Sequence, residues 1–418
     1  MLKEEKISRL VFMKNKNLIL IFIFIWFFSI IFTAYYVHKN FERIQILKNS
    51  LNNVNYVNAN AYSVNIIRVL KLNKKTAYIL NNNTSGNFNT NDLEIFTQDG
   101  YLIKNGNEKK LNTPDNFTLE NNGGLKNIMF VGNKVFALLS AKKDKCFLGK
   151  IYNISENKNF IDLGCLPDRD NTDFNGLGSS VVYLNNKLLL SVGTVDANLT
   201  LNSELSQNIN SPYGKILSIE YKSLRGEKSP ETNVYSLGHR NPQGMSKINN
   251  QTFSVEHGPK GGDELNRIEK DGNYGWPLSS YGTRYMIDSS GKSLPISHER
   301  SGFKEPMIAL VPSVGISALS QCPKKLKNYY KKNCLIALSL YGNKLRKGRS
   351  LIIFLINDDL SQVNSVEQIY LGSLGKLRLR HFVTNSKNEL FEDKEGNIYV
   401  SADRKGIYKI SFDKFRSR

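Results

Sequence analysis

The chain predicts an all-β fold, a six-bladed β-propeller preceded by a single N-terminal transmembrane helix, on three observations. A polar turn followed by a short β-prone strand recurs six times, helix signals are scarce beyond residue 58, and an apolar run of 20 residues lies near the N-terminus.

That run is Leu18 to Val37, broken only by Ser29 and Thr33. About 20 such residues cross a bilayer core as a helix. Lys3, Lys6, Arg9, Lys14 and Lys16 precede it, which keeps the N-terminus in the cytoplasm by the positive-inside rule. A cleaved signal peptide is the alternative, but the best small-x-small site, Phe32-Thr33-Ala34, begins with a bulky Phe. The expected order is a basic cytoplasmic tail (1–17), a signal-anchor (18–37), a polar helical stalk (38–58) and the propeller (59–418). The protein is then single-pass in the inner, cytoplasmic membrane, with the propeller on the periplasmic, extracytoplasmic side.

Composition is that of a globular chain: 418 residues, 40% hydrophobic and 22% charged, with a formal net charge of +20. Such a surplus invites anionic partners. Here it is spread along the chain, with no aromatic-and-basic RNA-binding signature and no DNA-reading helix, so nucleic acid is not an expected partner. The four cysteines suit export. Cys146 and Cys165 flank two strand-like runs around Ser155-Glu156-Asn157-Lys158, and Cys322 and Cys334 bracket a short basic loop. Both local pairings close small loops, and an oxidising compartment would form them. No C-x-x-C suggests zinc or thioredoxin-like chemistry.

The recurring unit begins at Lys74, Gly132, Asn185, Asn249, Lys332 and Glu395, at intervals of 58, 53, 64, 83 and 63 residues. Asn249-Asn250-Gln251-Thr252-Phe253-Ser254-Val255 is typical: a turn rich in Asn, then β-branched and aromatic residues. A four-stranded blade takes about 40 to 50 residues, more with elaborated loops. Six occurrences predict six blades, the long fourth interval holding an inserted loop. A pair of β-sandwiches would also use regular short strands.

Two central stretches concentrate Gly, Pro, His and charge. One is Gly238-His239-Arg240-Asn241-Pro242-Gln243-Gly244; the other runs from Glu256-His257-Gly258-Pro259-Lys260-Gly261-Gly262-Asp263-Glu264-Leu265-Asn266 to Gly272-Asn273-Tyr274-Gly275-Trp276-Pro277. Glycines permit close backbone approach. Arg240 offers a planar fork for carboxylates, and Asp263 and Glu264 supply the hard oxygens calcium prefers. A purely structural loop is the competing reading.

In order and spacing these three elements resemble the glucose/sorbosone dehydrogenase family, which includes the soluble quinoprotein glucose and aldose sugar dehydrogenases. Fainter similarity runs from Gly123-Gly124-Leu125 through Tyr213-Gly214-Lys215-Ile216-Leu217 to the segment Glu395 to Ile410. The resemblance implies a six-bladed propeller, pyrroloquinoline quinone (PQQ) held over calcium on its axis, and oxidation of an aldose, a small-molecule sugar, at its anomeric carbon. It places quinone contacts on Arg240, Asn241 and His257, and the active-site calcium on the backbone carbonyls of Gly258 and Pro259. A C-terminal grip on the quinone carboxylates would fall on Arg378 and Arg380, although His381 stands where an Asp usually follows. A second, structural calcium site would fall on Asp263, Glu264 and Tyr274.

One part of the pattern is missing. The family's proton-accepting His opens a segment H-x-x-G-R; the matching run is Asn175-Gly176-Leu177-Gly178-Ser179. The Asp that orients that His matches Thr194, and a family Lys matches Tyr341. No histidine lies between His38 and His239 to take the role, and a neutral amide takes up no proton between pH 5 and 8 as imidazole does. Two readings follow. One is an altered oxidoreductase using another base, such as Asp173 or a water; the other is a catalytically silent propeller that binds calcium and sugar as a cell-surface recognition module. His298 and His381 read as surface or internally satisfied structural histidines.

Overall fold

In a computed structural model, the residues described are 26–35, 56–58, 61–196, 200–283, 298–341, 349–371 and 377–416. The chain divides into two units, Met1–Asn55 with Ser373–Gly375, and Tyr56–Gly372 with Lys376–Arg418. Of the first, residues 26–35 are described: they form a helix whose side chains, Trp26 and Phe32 among them, are exposed. Among the described residues no helix is long and apolar enough to cross a membrane. The rest of the expected span Leu18 to Val37 lies outside them.

The second unit is built of six antiparallel sheets. Each sheet is a blade, and the innermost strand comes first in chain order. Blade 1 is Thr76–Asn81, Leu93–Thr97, Tyr101–Lys104 and Asn107–Lys110. Blade 2 is Leu125–Val131, Lys134–Lys143, Cys146–Asn153 and Lys158–Cys165. Blade 3 is Val181–Tyr183, Lys187–Val192, Lys215–Glu220 and Asn233–Leu237. Blade 4 is Pro242–Ile248, Gln251–Glu256, Asp263–Ile268 and Ile308–Leu310, and blade 5 is Ile316–Gln321, Asn333–Ser339, Ser350–Ile356 and Val363–Tyr370. Blade 6 takes Leu379–Phe382, Ile398–Ala402 and Gly406–Asp413 from the end of the chain, and Ser63–Leu70 and Tyr56–Asn58 from its beginning. Ser63 pairs with Asp413, Val64 with Phe412 and Ile66 with Ile410. This closure leaves no long open sheet edge between the two ends of the chain.

The six blades follow from the sequence repeat, because strands buried on both faces read as continuous apolar runs. Five of the six recurring units fall on the second strand of a blade. The first, at Lys74, falls instead on the innermost strand of blade 1, whose six residues Thr76–Asn81 are all buried. Alternation along each strand shares its side chains between neighbouring blades. Tyr78 and Leu80 join Ile128, Ala137 and Leu139 of blade 2, while Ile79 between them joins Tyr399 and Ile407 of blade 6. Leu188 and Leu190 likewise pack towards blade 2, and Leu189 towards Met245 of blade 4. The core is therefore a ring of layers between blades.

The insertion expected in the fourth interval lies between Asp263–Ile268 and Ile308–Leu310. Cys146 pairs with Cys165 and Cys322 with Cys334, as their spacing predicts. The first disulfide ties the two outer strands of blade 2, and a loop of that size stabilises by about 3 kcal/mol. The expected stalk is too long by its last three residues. Tyr56–Asn58 is the outermost strand of blade 6, registered on Ser63 to Asn65.

Candidate active site

At the end of the propeller where the innermost strands begin and the second strands finish, loops enclose a cavity of about 560 Å³. It is lined by Asn175 from the loop before blade 3, Asp196 from the loop after its second strand, and Arg240 and Asn241 between blades 3 and 4. Blade 4 adds His257, Gly258, Pro259 and Asp263, and Tyr341 and Arg378 close the far side.

Asn175 sits on a single 3-10 turn, Phe174–Leu177, capped by Asp173, which accepts a hydrogen bond from the Asn175 N–H at 2.9 Å. Phe174 and Leu177 are buried in the blade 2–3 core, so the amide of Asn175 is left exposed. The turn is laced to the next loop by Gly193 N–H to Leu177 O (2.7 Å) and Asp173 N–H to Val195 O (3.0 Å). Gly193 is required there, since a Cβ would lie 2.0 Å from the Gly176 carbonyl.

Arg240 is the hub. Its backbone N–H donates to Glu256 Oε2 (2.9 Å), and its Nη1 to the carbonyls of His257 (3.2 Å) and Gly258 (3.0 Å). The guanidinium lies 5.2 Å from the Trp276 ring, a cation–π distance. Glu256 also accepts from His239 Nδ1 (3.1 Å) and Asn266 Nδ2 (2.8 Å). Burial opposes its ionisation, but the His239 charge and these donors hold its carboxyl below the usual range. Asn241 Nδ2 reaches the Asn175 carbonyl (3.3 Å) and His257 Nδ1 (3.4 Å).

His257 is pushed below the ordinary imidazole range, chiefly by burial and then by Arg240, against the pull of Asp263. A neutral ring that accepts at Nδ1 carries its proton at Nε2. That Nε2 is buried, with no partner at hydrogen-bond distance among the described residues. The neighbouring Ile316 backbone favours the protonated ring.

The adjacent acids of blade 4 part company. Asp263 lines the axial cavity, and its two oxygens accept from Gly258 N–H (3.2 Å), Val314 N–H (3.0 Å) and Ile316 N–H (3.0 Å). Glu264 lines a second, small space of about 10 Å³ beside the first, with Glu256, Tyr274 and His298, and shares Gly258 and Pro259 with the axial cavity. That is room for one water-sized sphere. Burial, then the charge of Glu256, pushes the Glu264 carboxyl well up. The Tyr274 hydroxyl turns to Arg267 O (2.6 Å), and its ring stacks on His239.

The two C-terminal arginines also separate. Arg380 forms a bidentate pair with Asp403 (2.6 and 2.7 Å), whereas Arg378, half-exposed, lines the cavity and touches the same carboxylate only through Nε at 3.4 Å. His381 is half-buried and bonded to Thr76 O (3.1 Å), and desolvation pushes its ring down to about 3. His298 packs against Tyr281 with Nδ1 on Lys304 O (3.1 Å). Both are structural histidines.

Asp196 is the residue that sequence reasoning missed. It is 3% exposed and accepts from the hydroxyls of Thr194 (3.0 Å at Oδ1), Thr200 (3.5 Å at Oδ2) and Ser203 (Oδ2). The available signal was an acid two places beyond Thr194, on the loop that follows the strand Lys187–Val192.

The family described as Glucose / Sorbosone dehydrogenase matches residues 96–407. The chain is similar to the aldose sugar dehydrogenase of Escherichia coli, 36% identical over 98 residues, 22% of this chain and 25% of that protein. It is also similar to quinoprotein glucose dehydrogenase B of Acinetobacter calcoaceticus, 41% identical over 70 residues, 15% of each. These matches span a quarter of those curated relatives or less. The crystal structure of the soluble aldose sugar dehydrogenase from Escherichia coli in the apo-form superposes with a TM-score of 0.62 at 19% identity, covering 83% of this chain and 99% of that one. At that identity the likeness speaks for the propeller fold.

Proposed function

Because the chain belongs to the glucose/sorbosone dehydrogenase family, we propose that it is a PQQ-dependent aldose dehydrogenase, acting outside the cytoplasm, whose base position has been rebuilt. One observation carries this reading: Arg240, Asn241, His257, Gly258 and Pro259 converge on a single axial cavity with Asn175. The residues fit the cofactor. A space of about 560 Å³ lies within the range of small-molecule sites. PQQ carries three carboxylates, which Arg240 and, beyond its single contact with Asp403, Arg378 would offset, and the buried His257 ring lines the same cavity.

Bound there, PQQ would supply a two-electron acceptor for hydride. The chain's own residues do the rest. The Arg240 guanidinium is held by the His257 and Gly258 carbonyls and by Trp276, so little rotamer freedom is lost on binding an anion. The exposed amide of Asn175 can hydrogen-bond a sugar hydroxyl without taking its proton. Among the described residues no three His, Cys, Asp or Glu side chains cluster as a metal site, so calcium would rest on Glu264, Glu256 and backbone carbonyls around the small space, where the Glu264 carboxylate would ionise beside a divalent cation. The Gly258 and Pro259 carbonyls are candidate ligands of the axial calcium; Gly258 O accepts from Arg240.

A second reading, a calcium- and sugar-binding propeller without turnover, is favoured by Asn175, Thr194 and Tyr341 standing together where the family has His, Asp and Lys. Adding PQQ and millimolar calcium to the purified protein separates the two. The expected result is a calcium-dependent shift in quinone absorption that bleaches on addition of an aldose. Binding without bleaching would select the silent propeller, and no spectral change would overturn the quinoprotein reading.

The propeller's location is part of the proposal: a single-pass anchor, N-terminus inside, in the inner membrane. The apolar run Leu18 to Val37, its basic flank and two disulfides support it. Protease added to intact spheroplasts should remove the chain beyond residue 40, and full protection would refute the orientation.

A further inference from the structure

We infer that Asp196 is the catalytic base of this chain, accepting the proton of the sugar's anomeric hydroxyl in place of the histidine that Asn175 replaces. The inference rests on the quinone-dependent aldose dehydrogenase reading above. In the step, the anomeric O–H breaks and its proton passes to Asp196. The C1–H bond breaks with its electron pair going to the o-quinone cofactor, the C1–O bond becomes a carbonyl, and the aldose leaves as a lactone.

Three observations place the residue. Asp196 lines the same cavity as Asn175, Arg240, Asn241 and His257. Its loop is packed against that of Asn175: Thr172 and Asp196 form an isolated antiparallel bridge, and a Cβ on Gly176 would lie 2.8 Å from the Asp196 nitrogen. Third, Asp196 is 3% exposed, yet the described residues give its carboxylate hydroxyl donors and no ion pair. A buried aspartate kept for stability is ordinarily paired with a cation or several N–H groups.

The hydroxyl cluster suits a group that must exist in two protonation states. Thr194 Oγ1 lies 3.0 Å from Asp196 Oδ1 and 3.1 Å from the Arg240 carbonyl, and it has one proton for two acceptors. With Asp196 ionised, the hydroxyl donates to the carboxylate. With Asp196 protonated, the acid can donate to Thr194 Oγ1, which turns its own proton to the Arg240 carbonyl. Ser203 meanwhile holds Oδ2. The residue that replaces the family's orienting Asp thus serves a carboxylate two places further on.

The electrostatics agree. Burial pushes the Asp196 carboxyl above the usual range, with the Arg240 charge and the three hydroxyls pulling it back. A carboxylate raised in this way is a stronger base at neutral pH. The other ionisable groups on the surrounding elements are Asp168, Arg169, Asp170 and Asp173 on the preceding loop and Glu204 on the helix Leu201–Glu204, with His257, Asp263, Tyr341 and Arg378 across the cavity.

The test uses wild type, Asp196→Asn and Thr194→Val, read in two ways. With PQQ and calcium saturating, Asp196→Asn should lose about 10²- to 10³-fold in kcat, the share of a positioned base, while the quinone spectrum stays that of wild type. Thr194→Val should move the acid limb of the pH–kcat profile upwards, because a donor to the carboxylate is lost, and Thr194→Ser should restore it. The second reading is the melting temperature of the quinone-free protein against pH. The folded-state value of Asp196 is raised, so its stabilising contribution is present below the unfolded carboxylate range and is lost as pH rises through the folded value. Wild type should therefore lose stability relative to Asp196→Asn from about pH 4 towards neutrality, ending no more stable than the variant; a merely structural aspartate gives the opposite sign. Undiminished turnover by Asp196→Asn, or a melting difference independent of pH or of opposite sign, would overturn the role of Asp196 alone, whereas quinone binding by wild type without oxidation of any aldose would overturn the dehydrogenase reading on which it rests. Absence of quinone binding by wild type would overturn the underlying reading, and the base assignment with it.

Discussion

Asp263→Ala is expected to cost the propeller about 4 kcal/mol, the sum of two to three hydrogen bonds to a charged acceptor at about 1.5–3 kcal/mol each, less relaxation. The carboxylate is 1% exposed and receives the N–H groups of Gly258, Val314 and Ile316. Alanine leaves those donors buried without an acceptor. The geometry makes the loss functional as well. Gly258 belongs to the loop that accepts Arg240, whereas Val314 and Ile316 lead into blade 5. Without the clamp, the wall of the cavity between blades 4 and 5 should loosen, and quinone affinity should fall with stability. Asp263→Asn keeps one acceptor oxygen and should lose about half as much. Denaturant melts of the three proteins check this; a loss under about 1 kcal/mol for alanine would show that the N–H groups find water instead.

Arg240→Ala is expected to reduce PQQ affinity by about 100-fold or more, since one charge-assisted pair with a carboxylate is worth roughly 1.5–3 kcal/mol and a bidentate pair more. The side chain is 7% exposed, held on two backbone carbonyls and against Trp276. Those contacts should add about 2 kcal/mol of lost stability. Arg240→Lys retains the charge without the planar fork and should recover only part of the affinity. Calorimetric titration with PQQ at saturating calcium measures the first effect and urea melts the second. Unchanged affinity in Arg240→Ala would remove Arg240 from the quinone site.

What was legible in the sequence was local. Six blades could be counted because a strand sandwiched between neighbours is apolar over its whole length, as in Ile398–Ala402, buried at all five positions. Only Lys74 misled as to position, since Thr76–Asn81 is as buried as the second strands elsewhere. The disulfides were legible because each spans a short stretch, 19 and 12 residues apart. The separation of Asp263 from Glu264 was legible in principle as well. Neighbours on a strand point to opposite faces, so the two carboxylates reach different spaces.

The sequence by itself determined the repeat, the cysteine pairs, the motif residues Arg240 to Pro259 and the absence of a histidine at position 175, because each is a property of one segment. Only the tertiary structure decided which groups meet. Asp196 joins Asn175 because backbone bonds lace two loops 20 residues apart, and because Thr194 and Ser203 hold its carboxylate. Asp403 holds Arg380 in a bidentate pair, while Arg378, two places earlier, touches it through one nitrogen and lines the cavity. The physical reason is the same in each case. A loop residue's partner is chosen by how the blades bring loop ends together on the axis, and periodicity along one strand carries no record of that meeting.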